Sequence, residues 1–148
     1  LLRLLRWGRI LARHGALRGI EQDRNTPLPV KRLFRYPYGN STCETNGLLH
    51  ARGYRIVGWH VDSCDWAFDK TGRIDAREAL ACGVLAQNRD RFVDHVVSSV
   101  RAHSGGIVLL HEIHPNTIRQ LDDIIVRLKN EGFAFGSIED EDFTSSLR

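Results

Sequence analysis

The sequence predicts an α/β protein whose parallel strands are covered by helices. Three observations predict it. Short apolar, β-branched segments at residues 54–60, 107–110 and 133–138 alternate with amphipathic helical patterns. Glycine or proline stands at most segment ends. No repeat, low-complexity tract or Gly/Ser linker breaks the series, so one domain is the simplest organisation. The order β-α-β-(loop)-α-β-α-β fits a piece of a β/α barrel and equally a doubly wound sheet.

Each element has its own signal. Leu4, Trp7, Leu11 and His14 recur at three- and four-residue steps, with Arg3, Arg6, Arg9 and Arg13 largely on the other side. That spacing predicts an amphipathic helix ending near Gly15. Residues 21–31, with Asn25, Pro27 and Pro29, read as a loop. Residues 31–36 read as a short strand stopped by Pro37 and Gly39. Ser41 or Thr42 caps a helix over 43–52, which Gly53 ends. Residues 54–60 (YRIVGWH) form a strand of the kind buried in a parallel sheet. Residues 61–88 are mostly irregular, with a short helix around 75–81. Phe92, Val96, Val97 and Val100 mark a helix terminated by Gly105 and Gly106, and 107–110 is the next buried strand. Asn116 or Thr117 caps a helix whose Ile118, Leu121, Ile124, Ile125 and Leu128 form one apolar stripe, closed by Gly132 before the last strand.

Composition narrows the class. The 148 residues suit one ordinary domain, and 42% apolar with 26% charged content is that of a globular chain. No run approaches the roughly 18 apolar residues of a membrane-spanning helix. Residues 1–35 carry nine Lys/Arg against Glu21 and Asp23, giving +7, and the remainder carries twelve against sixteen, giving −4. The basic arm reads as a solvated helix face; a nucleic-acid or anionic-membrane role would rest on those 35 residues alone. Cys43, Cys64 and Cys82 form no C-x-x-C pair, so a zinc knuckle is disfavoured. At most one bridge can form, and an oxidising compartment favours Cys64–Cys82, both in the loop-rich centre. Free buried thiols are the alternative.

Functional groups of α/β folds gather at the C-terminal ends of strands. Three segments fall there: Arg35-Tyr36-Pro37-Tyr38-Gly39, Asp62-Ser63-Cys64-Asp65-Trp66 and His111-Glu112-Ile113-His114-Pro115. His111 follows an apolar strand directly, where a proton-exchanging imidazole stands out from the aliphatic residues a core favours. His111 and His114 are three apart and followed by proline, so they do not make the H-E-x-x-H of a zinc protease. Asp62 or Asp65 can orient a histidine ring, and each can equally form an Asx turn. Trp66 can stack on a sugar ring or plug a barrel end. Arg35 can hold a carboxylate through its planar fork, or simply extend the Lys31-Arg32 surface run. The Tyr38-Gly39-Asn40 turn can aim backbone N–H groups at an oxyanion. His14, His50, His60, His95 and His103 read as structural or solvated, His60 being the one to watch.

Together and in order, these segments resemble the last three of five motifs in the polysaccharide deacetylases, the NodB-homology family of carbohydrate esterases. Arg35, Pro37, Tyr38 and Gly39 match R-x-P-Y-G. Asp62, Asp65 and Trp66 match D-x-x-D-W, and Leu109 with His111 matches L-x-H. The resemblance runs from about residue 31 to the end, dividing the chain into a basic helix and loop (1–30) and the C-terminal part of a deacetylase domain (31–148).

It implies a partial, irregular β/α barrel truncated at its N-terminus. The implied reaction is hydrolysis of acetyl groups on a polymer such as peptidoglycan or chitin, in the cell envelope, periplasm or extracellular space. A metal, usually zinc, would polarise the carbonyl and hold the attacking water. The resemblance implies His111 as general acid, with Asp65, or else Asp62, tuning it. It likewise implies Arg35 restraining the base, the Tyr38 N–H at the oxyanion, and Trp66 and Leu109 lining the pocket. The family's first motif, an aspartate pair, has no counterpart before Arg35. Its H-x-x-x-H is absent too, so the metal ligands and the base are expected outside this chain. The alternative is a non-catalytic carbohydrate-binding remnant of the same fold.

Overall fold

A computed structural model describes residues 2–6 and 32–136. Within them the chain forms two compact units, 32–58 and 2–6 with 59–136.

In the smaller unit, β2 (Leu33–Phe34) and β3 (Arg55–Ile56) pair in parallel, Leu33 opposite Arg55 and Phe34 opposite Ile56. Between them a 3-10 turn, Pro37–Gly39, leads to α1 (Cys43–Ala51). Thr42 caps α1 as one of the two expected residues, its hydroxyl accepting from the Thr45 N–H at 3.1 Å. Gly53 follows the helix at φ +76°, a left-handed exit that costs glycine little.

The larger unit holds a four-stranded sheet in the order β4-β5-β1-β6: β4 (Val61–Asp62), β5 (Gly106–Leu109), β1 (Leu2–Arg6) and β6 (Phe133–Phe135). β4 and β5 are parallel, Val61 opposite Val108 and Asp62 opposite Leu109. α2 (Ala76–Ala81), α3 (Phe92–Ala102) and α4 (Pro115–Asn130) complete the unit. Phe92, Val96, Val97 and Val100 of α3 meet Ile124 and Leu128 of α4, Val61, Val108 and Phe133 in one buried cluster. Burial on that scale is the main favourable contribution to such a fold.

Four expectations are corrected. Residues 2–6 form a strand rather than the start of a helix, antiparallel to both β5 and β6. Pairing on two sides satisfies the strand's backbone, and such long-range pairing overrides a local three- and four-residue spacing. The sheet is consequently mixed, not wholly parallel. The strand expected over 54–60 is divided: Ile56 ends its pairing with Phe34, and pairing resumes at Val61 in the other sheet. Gly58 lies in the interruption, where it contributes no side chain to either sheet.

The last correction concerns α4. Its N-cap is His114, with Pro115 at the first helical position, where a fixed φ and a missing N–H cost nothing. Asn116 and Thr117 lie inside the first turn, both buried. The inward stripe is therefore Thr117, Leu121, Ile124 and Leu128, while Ile118 is 55% exposed. The expected loop at 21–31, the rest of the N-terminal helix and residues 137–138 of the final strand lie outside the described residues. The observed class is mixed α/β, and no closed barrel is formed by the described strands.

Candidate active site

Parallel pairing of β4 with β5 brings the C-terminal ends of both strands to one edge of the sheet. Asp65 lies three residues past Asp62, and His111 two past Leu109, so the loops that leave these ends carry the two side chains into contact. The His111 Nδ1 is 2.7 Å from Asp65 Oδ1. A carboxylate only accepts, so the proton of this contact sits on Nδ1. Asp65 Oδ2 accepts from the His111 backbone N–H at 2.6 Å and from the Thr117 hydroxyl at 2.8 Å. Asp65 is fully buried and the His111 side chain is 28% exposed. The result is a buried, fully engaged carboxylate behind a partly exposed imidazole.

The loop holding Asp65 is built locally. Asp62 Oδ1 accepts from the Cys64 N–H at 2.9 Å, an Asx turn. Ala67 N–H then bonds the Cys64 carbonyl at 2.9 Å, with Cys64 at φ +51°. A disulfide joins Cys64 to Cys82 at the C-terminal cap of α2, the pairing favoured for an oxidising compartment. Cys43 is free and exposed.

Asp62 serves its own turn, and Leu109, its partner across the ladder, is buried at 4% exposure. Trp66, next to Asp65, is about half exposed. Arg35 follows β2 directly and is exposed; Tyr38 is 93% exposed with φ +56°. Both belong to the smaller unit. His60 is structural: its Nδ1 accepts from the Ile107 N–H at 2.9 Å. Gly106, at φ +119°, lies so close to it that an added Cβ would meet the His60 Cβ at 2.8 Å. His95 is buried against Phe68, and burial pushes its imidazole below the ordinary range against a smaller upward pull from Asp62. Thr117, whose hydroxyl bonds Asp65, does not stand out in the sequence because its cap-like identity suggests a helix start. Its place in the series 117, 121, 124, 128 was the available signal.

Asp65, His111 and His114 offer ligand atoms within 4.8 Å of one another. They do not fit a catalytic metal. Both Asp65 oxygens already accept hydrogen bonds, and His111 Nδ1 is committed to one of them. Two imidazoles remain, short of the three protein ligands of an open zinc site.

Comparison with known proteins bears on what this edge does. The chain is 28% identical over 113 residues to a peptidoglycan-N-acetylglucosamine deacetylase of Bacillus cereus, 74% of this chain and 37% of that one. It is 30% identical over 96 residues to a peptidoglycan-N-acetylmuramic acid deacetylase of Bacillus subtilis, covering 65% and 30%. With a peptidoglycan-N-acetylglucosamine deacetylase of Listeria monocytogenes the identity is 31% over 106 residues, covering 72% and 18%. The chain thus spans about a third or less of the length of two of these relatives and little more than a third of the other. No family model and no solved structure matches it. The ordered motifs and these similarities together make the chain part of a polysaccharide deacetylase domain.

Proposed function

We propose that the chain is part of a hydrolase that removes acetyl groups from a sugar polymer, peptidoglycan or a chitin-like chain, with His111 as the proton donor. The observation that carries this reading is the Asp65–His111 pair: a buried carboxylate holds Nδ1–H, which leaves Nε2 as the nitrogen that can pass a proton to a departing amine. Asp65 stabilises the imidazolium and keeps the ring from turning. Trp66, exposed beside the pair, serves in this reading as a stacking face for a sugar ring. Arg35 and the Tyr38 backbone N–H take the roles implied by their motif, restraining the base and holding the oxyanion. In this reading the mixed sheet is part of an irregular β/α barrel. The zinc or other divalent ion of such enzymes, and the base, belong to residues other than these. An envelope, periplasmic or extracellular setting agrees with the Cys64–Cys82 bridge, since disulfides persist where the surroundings are oxidising. No helix among the described residues is long and apolar enough to cross a membrane.

The purified chain, given zinc and acetylated chito-oligosaccharide, is expected to release no acetate. The same residues in a polypeptide that also carries an aspartate pair and an H-x-x-x-H segment are expected to release it. There, His111→Ala should lower the rate about 100-fold or more. Acetate from the chain alone would overturn the division of labour, and release that survives His111→Ala would overturn the role of His111.

A further inference from the structure

We propose that Thr117 is a positioning residue: its hydroxyl holds the Asp65 carboxylate so that Oδ1 stays aimed at His111 Nδ1 and keeps the proton on that nitrogen. Thr117, Leu121, Ile124 and Leu128 stand at steps of four, three and four on α4, the inward face of the helix. The last two are fully buried in the core, and Leu121 is partly buried. The first position, 2% exposed, is a threonine set where the ends of β4 and β5 meet. A hydroxyl at a core position is unfavourable unless it finds a partner, and this one donates to Asp65 Oδ2 at 2.8 Å.

The consequence follows from counting lone pairs. An oxygen of a carboxylate has room for about two donors. Oδ2 takes two, Thr117 Oγ–H and the His111 backbone N–H, which leaves Oδ1 for the ring. The carboxylate is thus held at three points and cannot rotate without breaking two bonds at once. Removing the hydroxyl leaves Oδ2 with one donor and lets the carboxylate turn, which weakens the Nδ1–H bond that holds the imidazole in one tautomer. Thr117 also stands in the first turn of α4, whose positive end favours a carboxylate beside it. The importance of this tautomer to acetyl hydrolysis rests on the reading above; the placement of the bonds does not.

The test is nitrogen NMR of the His111 ring in the full chain, above the pH range in which an imidazole titrates. In the wild type, Nδ1 is expected to give a protonated-type signal and Nε2 a well-separated lone-pair-type signal. Thr117→Val keeps the volume and removes the donor, and it should draw the two signals toward each other. Thr117→Ser keeps the donor and should restore their separation. A Thr117→Val protein with wild-type signals overturns the proposal, as does a Thr117→Ser protein displaced as far as the valine variant. Should Thr117→Val fail to fold, the wild type decides: a Thr117 hydroxyl proton exchanging with water far more slowly than a free one supports the proposal, and one in fast exchange overturns it. None of these readouts uses acetate, so a failure of the deacetylase reading would leave them intact.

Discussion

Asp65 and Arg35 occupy comparable places, each just beyond a short strand of a parallel pair, yet their surroundings are opposite. Past β4 the chain enters a buried loop, and α4 closes over it, so Asp65 is fully buried with three donors on its two oxygens. Past β2 the chain enters an exposed turn, and no residue of α1, the helix that follows, is buried. Parallel pairing places side chains at one edge in both units. Among the described residues, the larger unit adds a helix, α4, whose inward face reaches that edge and fixes the network around Asp65. A strand-end position is thus a place for chemistry, and the covering element decides whether its geometry is set by the protein.

The widest gap between the two regions should appear on removing Asp65. Asp65→Ala strands two donors of His111 and the Thr117 hydroxyl in a buried setting, which should cost about 4 kcal/mol. Urea denaturation should show the midpoint falling with an unchanged slope. A loss under about 1 kcal/mol would mean that water replaces the carboxylate and the network is not closed.

The cysteines draw the same contrast. Cys43 of the smaller unit is exposed, whereas Cys64–Cys82 spans 18 residues and ties the Asp65 loop to α2. Native alkylation should label one thiol per chain, and three only after reduction and unfolding. Replacing Cys64 and Cys82 together by serine should lower stability by about 3 kcal/mol, the value expected of a loop of that length. Two or more labelled thiols in the native protein would break the comparison.

How much of this was legible in the sequence follows the same division. β5, α2 and α3 were readable because their signals are local: a β-branched run, a short helical stretch around 75–81, and the spacing of Phe92, Val96, Val97 and Val100. The meeting of Asp65 with His111 was legible only through motif order, since 46 residues separate them. The strand at residues 2–6 was not legible, because its partners Ile107 and Phe135 lie more than a hundred residues away. Thr117 failed for another reason. A threonine at a helix start has a cheap local explanation as a cap. Pro115 had already shifted the true cap to His114, which turned the threonine inward.

The smallest effect isolates backbone strain. Tyr38 and Cys64 are both non-glycine residues in the left-handed region, at φ +56° and +51°. Cys64 is buried and bonded to Cys82, so its surroundings enforce the conformation. Tyr38 is 93% exposed, so its ring contributes little packing that could hold it there. A side chain in that region costs roughly 1–2 kcal/mol, and glycine avoids it while adding freedom to the unfolded chain. Tyr38→Gly should therefore raise stability slightly, by about 0.5 kcal/mol, visible as a small rise in the thermal midpoint. A loss of 1 kcal/mol or more would show that the ring holds the turn through packing after all, making the two strand ends more alike than their exposure suggests.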